Sequence, residues 1–430
     1  MEPIKYSIAE RILMQPTKVQ AEYLEKCCAM HRIGWNWALG EWGRQYEAWK
    51  ADNSLPKPSA MSLQKKFRTV RDEEYPWWSD VFANSHVGAI NKNLDKAMKN
   101  FFAGRAKYPR FKKRGRDDTS FYLANVEGGI KGRRFKVPQP RGNKPMWIKL
   151  RKDPRFEGKV NSYTVSRVAG KWYVSISYEI DEVPYTTSGE RGIVGIDINI
   201  SEIVTSDGER VAVPKAIDEL QTKLTRLQRR LKRKRGNIRK LTPGSRKWDK
   251  TVLQVQKLHK RIGDIRSNYI HQFTARIART CEAVGIEELN VKGMMQNHNL
   301  ARSVGNIGAA EIRRQLTYKC GWSGAELRAI NQFEHPSTQT CSQCGYRKTG
   351  SERMKLGQSE YRCSECGLEI DRDLNAAINL ANWASAPTLE PRESQAGGDS
   401  SDGPKVRKRL RKLRIVETGT RAQQEAELAC

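Results

Sequence analysis

The chain contains no run of about 18 consecutive apolar residues, which is the length that a membrane-spanning helix requires. Its first residues, Met1 to Met14, also lack the charged, apolar and small-residue regions of a secretory signal peptide. Both absences argue against export and against a membrane partner. We therefore expect a soluble protein of the cytoplasm.

Acidic residues are scarce relative to basic ones. The sequence has 48 Asp and Glu against 78 Lys and Arg, which leaves a formal net charge of +30. A charge excess of this size destabilises the compact state by self-repulsion unless a polyanion neutralises it. An anionic membrane surface is one alternative, but the lack of a long apolar run argues against it. The composition therefore predicts a protein that binds nucleic acid.

Cysteine is also infrequent, with nine residues in the chain, and four of the nine lie in one short stretch. These four are Cys341, Cys344, Cys363 and Cys366. Two residues separate the cysteines of each pair, and a glycine follows each pair, which is typical of a zinc ribbon. Because four thiolates close the coordination sphere, the zinc is predicted to be structural. A redox-active dithiol pair is the alternative, and the other five cysteines are interpreted as small buried or incidental residues.

Residue periodicity divides the chain into segments of an α+β multidomain protein. The alternation of aromatic and polar residues in KWYVSISYEI, at 171–180, predicts a strand. The predicted parts are a β domain at 1–15 and 118–185, a helical insertion at 16–117, an α/β core at 190–333 and 368–384 with a basic helical segment at 217–283, a cysteine-rich segment at 334–367, and a largely disordered basic tail at 385–430.

Three carboxylates occupy informative positions in the predicted α/β core. Asp197 interrupts the apolar strand pattern VGIDINI, and Glu287 does the same in VGIEEL. A charged side chain in such a strand must be paired, bound to a metal or placed at a sheet edge. Asp373 stands at the start of the helical segment DRDLNAAINLA, where a simple helix cap is the alternative interpretation.

The order of these segments favours a joint role for the three acids. A strand with Asp197, a hairpin, helices, a strand with Glu287 and a helix beginning near Asp373 reproduce the RNase H-like topology, in which the acids meet at one end of the sheet. Clustered carboxylates repel each other unless divalent cations neutralise them, and oxygen ligands favour Mg²⁺ or Mn²⁺. Two such ions about 4 Å apart would activate water and stabilise the leaving oxygen in phosphodiester hydrolysis.

Several motifs resemble those of the TnpB family, the insertion-sequence nucleases related to the compact type V CRISPR effectors. The motifs are GIDIN at 195–199, IEELNVKGM at 286–294, PSTQTCSQCG at 336–345, CSECG at 363–367, DRDLNAAINLA at 371–381, and upstream RIGWNWAL at 32–39 and YPRFKKRG at 108–115. The resemblance covers most of the chain and is more specific in its C-terminal half.

The resemblance implies a RuvC nuclease core with an inserted zinc ribbon, and an N-terminal β-barrel-like wedge domain with a helical recognition insertion. It assigns the three metal ligands to Asp197, Glu287 and Asp373, and the D-x-N-A-A pattern selects Asp373 over Asp371. It further implies a prokaryotic protein with a non-coding guide RNA from a transposon end and a double-stranded DNA target beside a short flanking motif. We expect a monomer.

Nine residues are candidates for nucleic-acid contacts. The stretch Lys223 to Lys240 carries ten cations and no acid, which suits contacts with phosphates better than a plain solvated helix face. An aromatic ring among basic residues at 107–116 could stack on a base, with core packing as the alternative. The candidates are Lys65, Lys66, Arg68, Phe111, Lys112, Lys113, Arg229, Arg230 and Arg233.

Two alternatives to a guided nuclease stay open at this point. A guide-RNA-dependent DNA-binding regulator would need the basic surface and the zinc ribbon, but not all three acids. An RNase H-fold transposase or resolvase acting without RNA would rarely need so large a basic insertion. The presence of all three acids and of the whole motif series favours the nuclease.

Overall fold

A computed structural model of the chain describes residues 5–114, 119–124, 126, 128–140, 142–182, 187, 192–234, 245–355 and 357–386. Within these ranges, no helix is both long enough and apolar enough to cross a membrane. The tail predicted at 385–430 lies outside the described residues except for its first two, and so does the middle of the basic segment, 235–244.

The N-terminal half contains a seven-stranded antiparallel sheet in which the first strand is central. The strand order is β2-β6-β7-β1-β5-β4-β3. The strands are β1 (Tyr6–Gln15), β2 (Thr119–Ala124), β3 (Ile130–Lys131), β4 (Arg134–Val137), β5 (Met146–Leu150), β6 (Lys159–Val168) and β7 (Lys171–Ile180). Phe135 on β4 contacts Tyr163 on β6, with ring centroids 5.0 Å apart. Because these strands are not neighbours, the sheet must curl around its core.

A helical layer lies between β1 and β2 in the chain. It consists of α1 (Lys18–Ala51), α2 (Ala60–Glu74), a π-helix (Gly88–Leu94) and α3 (Asp95–Phe102). A capping box starts α1: Thr17 accepts a hydrogen bond from the Gln20 amide, and the Gln20 side chain accepts one from the Thr17 amide. Leu24, Leu39 and Phe67 of this layer are buried in the same hydrophobic core as the sheet residues.

The second half is built on a five-stranded mixed sheet with the order β10-β9-β8-β11-β12. Strands β8, β11 and β12 are parallel, and β9 and β10 continue antiparallel from β8. The elements are β8 (Gly192–Ile198), β9 (Glu202–Thr205), β10 (Arg210–Ala212), α4 (Ala216–Lys232), α5 (Arg246–Thr280), β11 (Cys281–Glu287), α6 (Val291–Met294), α7 (Ala301–Ile307), α8 (Ala309–Ser323), β12 (Glu326–Ile330) and α9 (Arg372–Ser385).

Helix α9 lies directly on the backbone of β8 and β11, because glycine occupies the two contact positions. A Cβ atom on Gly195 would lie 1.9 Å from the carbonyl oxygen of Ala377, and one on Gly285 would lie 2.1 Å from that of Leu380. Ile196, next to Gly195, points to the opposite face of the sheet, into a core shared with α5 and α8. The close approach brings the first turn of α9 to the strands that carry Asp197 and Glu287.

Candidate active site and metal centre

Asp197 is the penultimate residue of β8 and is only 5% exposed. Burial, followed by the neighbouring negative charges of Asp373 and Glu287, raises the pKa of Asp197 from 3.8 to about 8, and Arg372 acts in the opposite direction. The charge of a carboxylate in this environment is therefore poorly compensated by the described protein groups.

Glu287 is the last residue of β11, the parallel neighbour of β8. Ile286 is in register with Ile196, so the residues that follow them, Glu287 and Asp197, lie side by side at the carboxyl end of the sheet. Burial raises the pKa of the Glu287 carboxyl. Sequence alternation alone cannot give this register, because it depends on how β8 and β11 pair.

Asp373 lies in the first turn of α9, but it does not cap the helix. The N-cap is Asp371, whose side chain accepts hydrogen bonds from the amides of Asp373 and Leu374, both at 3.0 Å. Asp373 instead receives the guanidinium of Arg372, with nitrogen–oxygen distances of 2.8 Å. The interpretation of Asp373 as a simple cap is therefore wrong, because Asp371 already fills that role.

Asp371 is itself held by a residue that the sequence analysis did not identify. Arg210 on β10 contacts Asp371 at 2.7 Å and Glu202 on β9 at 2.6 Å. Arg210 thus connects the antiparallel hairpin with the first turn of α9. No residue pattern around Arg210 indicated this contact, whereas the position of Arg372 between Asp371 and Asp373 indicated an ion pair.

The structure brings Asp197, Glu287 and Asp373 together at one end of the five-stranded sheet, and we refer to them as the acid cluster. Asp197 interacts electrostatically with both Asp373 and Glu287. A second group, of four cysteines, brings one ligand atom each within 4.8 Å of all the others. The acid cluster offers hard oxygen donors with excess negative charge, which fits Mg²⁺ or Mn²⁺.

The four cysteines that meet this criterion are those predicted from the sequence: Cys341, Cys344, Cys363 and Cys366. We refer to them as the cysteine cluster. They are free thiols, and the sulfur atoms of two pairs lie 3.6 Å apart, well beyond a disulfide bond. Gly345 and Gly367 have φ angles of 76° and 72°, a conformation that glycine adopts without strain. The cluster can hold one structural zinc ion.

The cysteine cluster is attached to α9, the helix that carries Asp373. The fully buried Asn375 accepts a hydrogen bond from the Ser342 amide at 2.9 Å and donates one to the Thr340 carbonyl at 2.7 Å. One turn later, Asn379 donates to the carbonyls of Ser337 and Thr340. Two asparagines four residues apart among the apolar residues of 374–381 were a sequence signal for this contact, which the sequence analysis missed.

The candidates Lys65, Lys66 and Arg68 on α2 are exposed, but they are not equally available for contacts with nucleic acid. Lys66 forms a 2.6 Å ion pair with Glu41, a residue of α1 that is only 3% exposed. Glu41 also receives Arg44 at 2.6 Å. Lys66 therefore compensates a buried charge, whereas no ion pair involves Lys65 or Arg68 within the described residues.

The candidates near residue 111 lie on a segment that is hydrogen-bonded to α1. The Asn36 side chain donates to the Lys112 carbonyl and accepts from the Lys112 amide, at 2.9 and 2.7 Å. Lys112 lies over the ring of the buried Trp35, 4.2 Å from its centroid. Phe111 is 57% exposed, which argues against the core-packing alternative, and Lys113 is exposed too.

Arg229 and Arg230 project from the last turn of α4, and Arg233 follows directly at its C-cap. All three are exposed. Arg229 also lines an open cavity of about 440 Å³ between α4 and α7, together with Arg226 and Arg302. Arg302 is a further cation that the sequence analysis did not select, because it lies outside the dense basic run.

Comparisons with known protein families match three parts of the chain. Residues 310–380 match the family described as "Cas12f1-like, TNB domain", and residues 175–298 match one described as "Probable transposase". Residues 8–50 match a family described as a helix-turn-helix domain. In the structure, these last residues form most of β1 and one long helix, α1.

Relatives in bacteria match over almost the whole length. The protein named "Putative RNA-guided DNA endonuclease InsQ" of Escherichia coli K12 is 33% identical over 86% of this chain and 91% of its own. A "Putative RNA-guided DNA endonuclease" of Streptomyces pristinaespiralis is 32% identical over 93% of this chain and 96% of its own. A chain in the cryo-EM structure of a Cas12f1-sgRNA-target DNA complex has a TM-score of 0.52, with 17% identity, over 85% of this chain and 83% of that chain.

The fold is therefore the mixed α/β fold of the Cas12f1 chain, with a four-cysteine segment inside the region that matches the TNB domain. With relatives above 30% identity along nearly their full length, the chain belongs to the TnpB family. The family predicted from the motifs in the sequence is confirmed.

Proposed function

We propose that the protein is an RNA-guided DNA endonuclease associated with a transposon, which hydrolyses phosphodiester bonds of guide-matched DNA beside a short flanking motif. The observation that carries the proposal is the acid cluster, assembled from two parallel strands and a helix, in which Asp197 is buried among like charges. Related proteins named as RNA-guided DNA endonucleases support the guide and the target. The match to a transposase family supports the association with a transposon.

The topology supports an RNase H-like RuvC core. A parallel pair, β8 and β11, carries Asp197 and Glu287, an antiparallel hairpin extends from β8, and α9 crosses the pair with Asp373 in its first turn. The curled seven-stranded sheet with its helical layer corresponds to the proposed wedge and recognition modules. The exposed arginines of α4 are the proposed contacts to the guide–target duplex.

Asp197, Glu287 and Asp373 would hold two divalent ions. When bound, such ions lower the pKa of an attacking water and stabilise the leaving 3′ oxygen. The chain's own groups position the acids. Arg210 and Asp371 hold the first turn of α9. Arg372 neutralises the Asp373 carboxylate until that carboxylate binds an ion.

The proposed zinc ion at the cysteine cluster has no catalytic part, since four thiolates leave no open position for water or substrate. Its proposed task is to shape the segment that anchors α9. Through Ser342 and Thr340, that segment holds Asn375, which lies two residues after Asp373.

The most direct test purifies the protein with co-expressed flanking transposon DNA, sequences the RNA that copurifies, and assays cleavage of targets with a randomised flank. We expect cutting that depends on Mg²⁺ and on a match to the bound RNA. Asp197→Ala should abolish cutting and retain the RNA. Full cutting by this variant would contradict the assignment of the acid cluster.

The same assay separates the two alternative functions. A guided regulator would bind RNA and matched DNA without cutting either strand. A transposase or resolvase would act on DNA when no RNA copurifies. Either result in the wild-type protein would replace the proposed function.

A further inference from the structure

Three cations lie in one row across neighbouring strands at the edge of the seven-stranded sheet. Lys131 on β3 is the direct cross-strand partner of Arg134 on β4, and Arg134 is the direct partner of Lys149 on β5. All three side chains are exposed. Like charges directly opposite each other destabilise a sheet. This cation row therefore lowers the stability of the free protein.

No acidic side chain compensates the cation row within the described part of the chain. The neighbouring Arg133 has an acidic partner, Asp153, at 2.9 Å. Lys131, Arg134 and Lys149 form no ion pair with any described residue. A row of unfavourable charges that the fold leaves without acidic partners is the arrangement expected of a surface that receives an anion.

The cation row borders an open cavity of about 450 Å³ that also contains an aromatic ring. Its lining residues are Lys131, Arg133, Arg134, Trp147 and Lys149. Trp147 stands two residues before Lys149 on β5, so both side chains project from the same face of the sheet. The half-buried Trp147 thus offers a ring beside the cations.

The dimensions of the surface correspond to a short stretch of nucleic acid. Adjacent strands lie about 4.8 Å apart, so the row from Lys131 to Lys149 spans about 10 Å. At a rise of about 3.4 Å per nucleotide, this length covers roughly three nucleotides of one strand. Cations that follow the backbone and a ring on which a base stacks are the two components of single-strand binding sites.

We propose that the cation row binds the phosphodiester backbone of a single-stranded nucleic-acid segment, one base of which stacks on Trp147. A single strand is required because a base within a duplex cannot reach the indole ring. The inference rests on the proposed function, since it names a contact surface for the guide RNA or for opened target DNA. None of the nine candidates from the sequence belongs to this surface.

The first test measures the salt dependence of binding. The full-length protein is titrated with an unstructured RNA oligonucleotide, a DNA oligonucleotide of the same sequence and the corresponding DNA duplex. The variant Lys131→Gln/Arg134→Gln/Lys149→Gln should bind single strands more weakly. Its slope of log K against log salt should be shallower by about 2, because each lost single-strand phosphate contact contributes about 0.7.

A matched control removes the same charge elsewhere in the same half of the protein. Lys18→Gln/Lys159→Gln/Lys171→Gln changes three exposed lysines that lie outside the cavity. Its salt slope should stay close to that of the wild type. Equal slopes in the two triple variants would overturn the inference, because the cations would then act only as a diffuse field.

The second test separates stacking from charge. Trp147→Leu should weaken binding of single strands roughly tenfold without changing the salt slope, and Trp147→Phe should restore most of the affinity. A loss confined to the duplex, or no loss in Trp147→Leu, would overturn the stacking part. Preference for RNA would assign the surface to the guide, and preference for DNA would assign it to the opened target.

The third test measures the melting temperature of the protein without nucleic acid, because repulsion within the cation row should destabilise that form. The triple variant of the row should melt higher than the wild type by about 1–3 °C at low salt, and the gain should vanish at high salt. This result also shows that the variant is folded. If the wild type binds and cuts while the row variant behaves identically, only this inference fails; if the wild type binds no nucleic acid, the proposed function fails with it.

Discussion

The acid cluster and the cysteine cluster differ in how the chain brings their side chains together. The cysteines come from one short segment and bring their sulfur atoms within 4.8 Å of one another. The acids come from β8, β11 and α9, three elements that are far apart in the chain. The thiols are tied by local turns with glycine at positive φ, whereas the acids depend on the packing of α9 against Gly195 and Gly285.

This difference implies opposite energetic roles. A structural metal site stabilises its segment, because a site that forms only in the folded state adds its binding free energy to folding. Buried like charges oppose folding until a cation compensates them. We therefore expect changes in the cysteine cluster to lower stability, and the removal of one charge from the acid cluster to raise it.

The strongest test of this contrast is Asp197→Asn, which keeps the shape of the side chain and removes its charge. Cutting should fall about a thousandfold or more, since several kcal/mol of transition-state stabilisation would depend on this ligand. In the presence of a chelator, the free energy of unfolding should rise by about 2 kcal/mol, because the variant no longer buries a carboxylate and no longer places its charge beside Glu287 and Asp373. Plasmid cleavage and thermal melting are the measurements. If the variant melts lower than the wild type, the acid cluster does not oppose folding, and the expected difference between the two clusters is wrong.

Cys363→Ser should have the opposite effect on stability. Zinc measured by metal analysis should fall well below one ion per chain, and the melting temperature should fall with it. Cutting should decrease about tenfold to a hundredfold, because the segment that anchors α9 loses its shape. Cys281→Ala, outside the cluster, should retain the zinc. Full zinc content in Cys363→Ser would disprove the ligand assignment.

Asn375→Ala tests whether the two clusters communicate through α9. The change removes the partner of the Ser342 amide and one of the two donors to the Thr340 carbonyl, which Asn379 also contacts. A buried group left without a partner costs about 1–3 kcal/mol. We expect cutting to fall about tenfold while the zinc content stays unchanged. The control is Asn382→Ala, which removes an exposed side chain with one long contact of 3.4 Å. Unchanged cutting in Asn375→Ala would mean that the zinc segment does not position Asp373.

Lys319 provides a comparison with a buried charge that belongs to neither cluster. It is 1% exposed and donates hydrogen bonds to the His271 carbonyl and the Thr274 hydroxyl at 2.9 and 2.7 Å. Burial, followed by the positive charge of Arg279, lowers the pKa of Lys319 from 10.5 to about 8. Below pH 8 the ammonium group is charged in both the folded and the unfolded state, so the unfavourable burial is fully present.

Between pH 8 and 10.5 the folded protein releases this proton while the unfolded chain retains it. The stability of the wild type should therefore rise relative to Lys319→Met, by at most about 1.4 kcal/mol per pH unit. The measurement is denaturant unfolding of both proteins across this window. If the difference in stability between the wild type and Lys319→Met stays constant with pH, Lys319 has an ordinary pKa. The core would then accommodate the buried ammonium group without a bound ion to compensate it.

Much of the local structure could be predicted from residue patterns. The alternation of aromatic and polar residues predicted a strand at 171–180, which the structure has at Lys171–Ile180. The cysteine cluster was predicted completely, since both its ligand pairs and its turns are encoded by neighbouring residues.

Other features could not be read from the sequence for physical reasons. Arg210 reaches Asp371 only because β10 and α9 meet, and Lys66 is occupied because Glu41 is buried beneath it. The cation row requires the pairing of β3, β4 and β5, which sets Lys131, Arg134 and Lys149 opposite each other. Strand register decides which side chains are neighbours, and no single strand contains that information.

By itself, the sequence determined the family and the four clustered cysteines, and it predicted the three acids as metal ligands, because spacing and residue type along the chain carry those features. Only the tertiary structure decided that two glycines let α9 approach the strands, and that the acids share one end of a sheet. These features arise from close contacts between residues far apart in the chain, and such contacts exist only once the elements have packed.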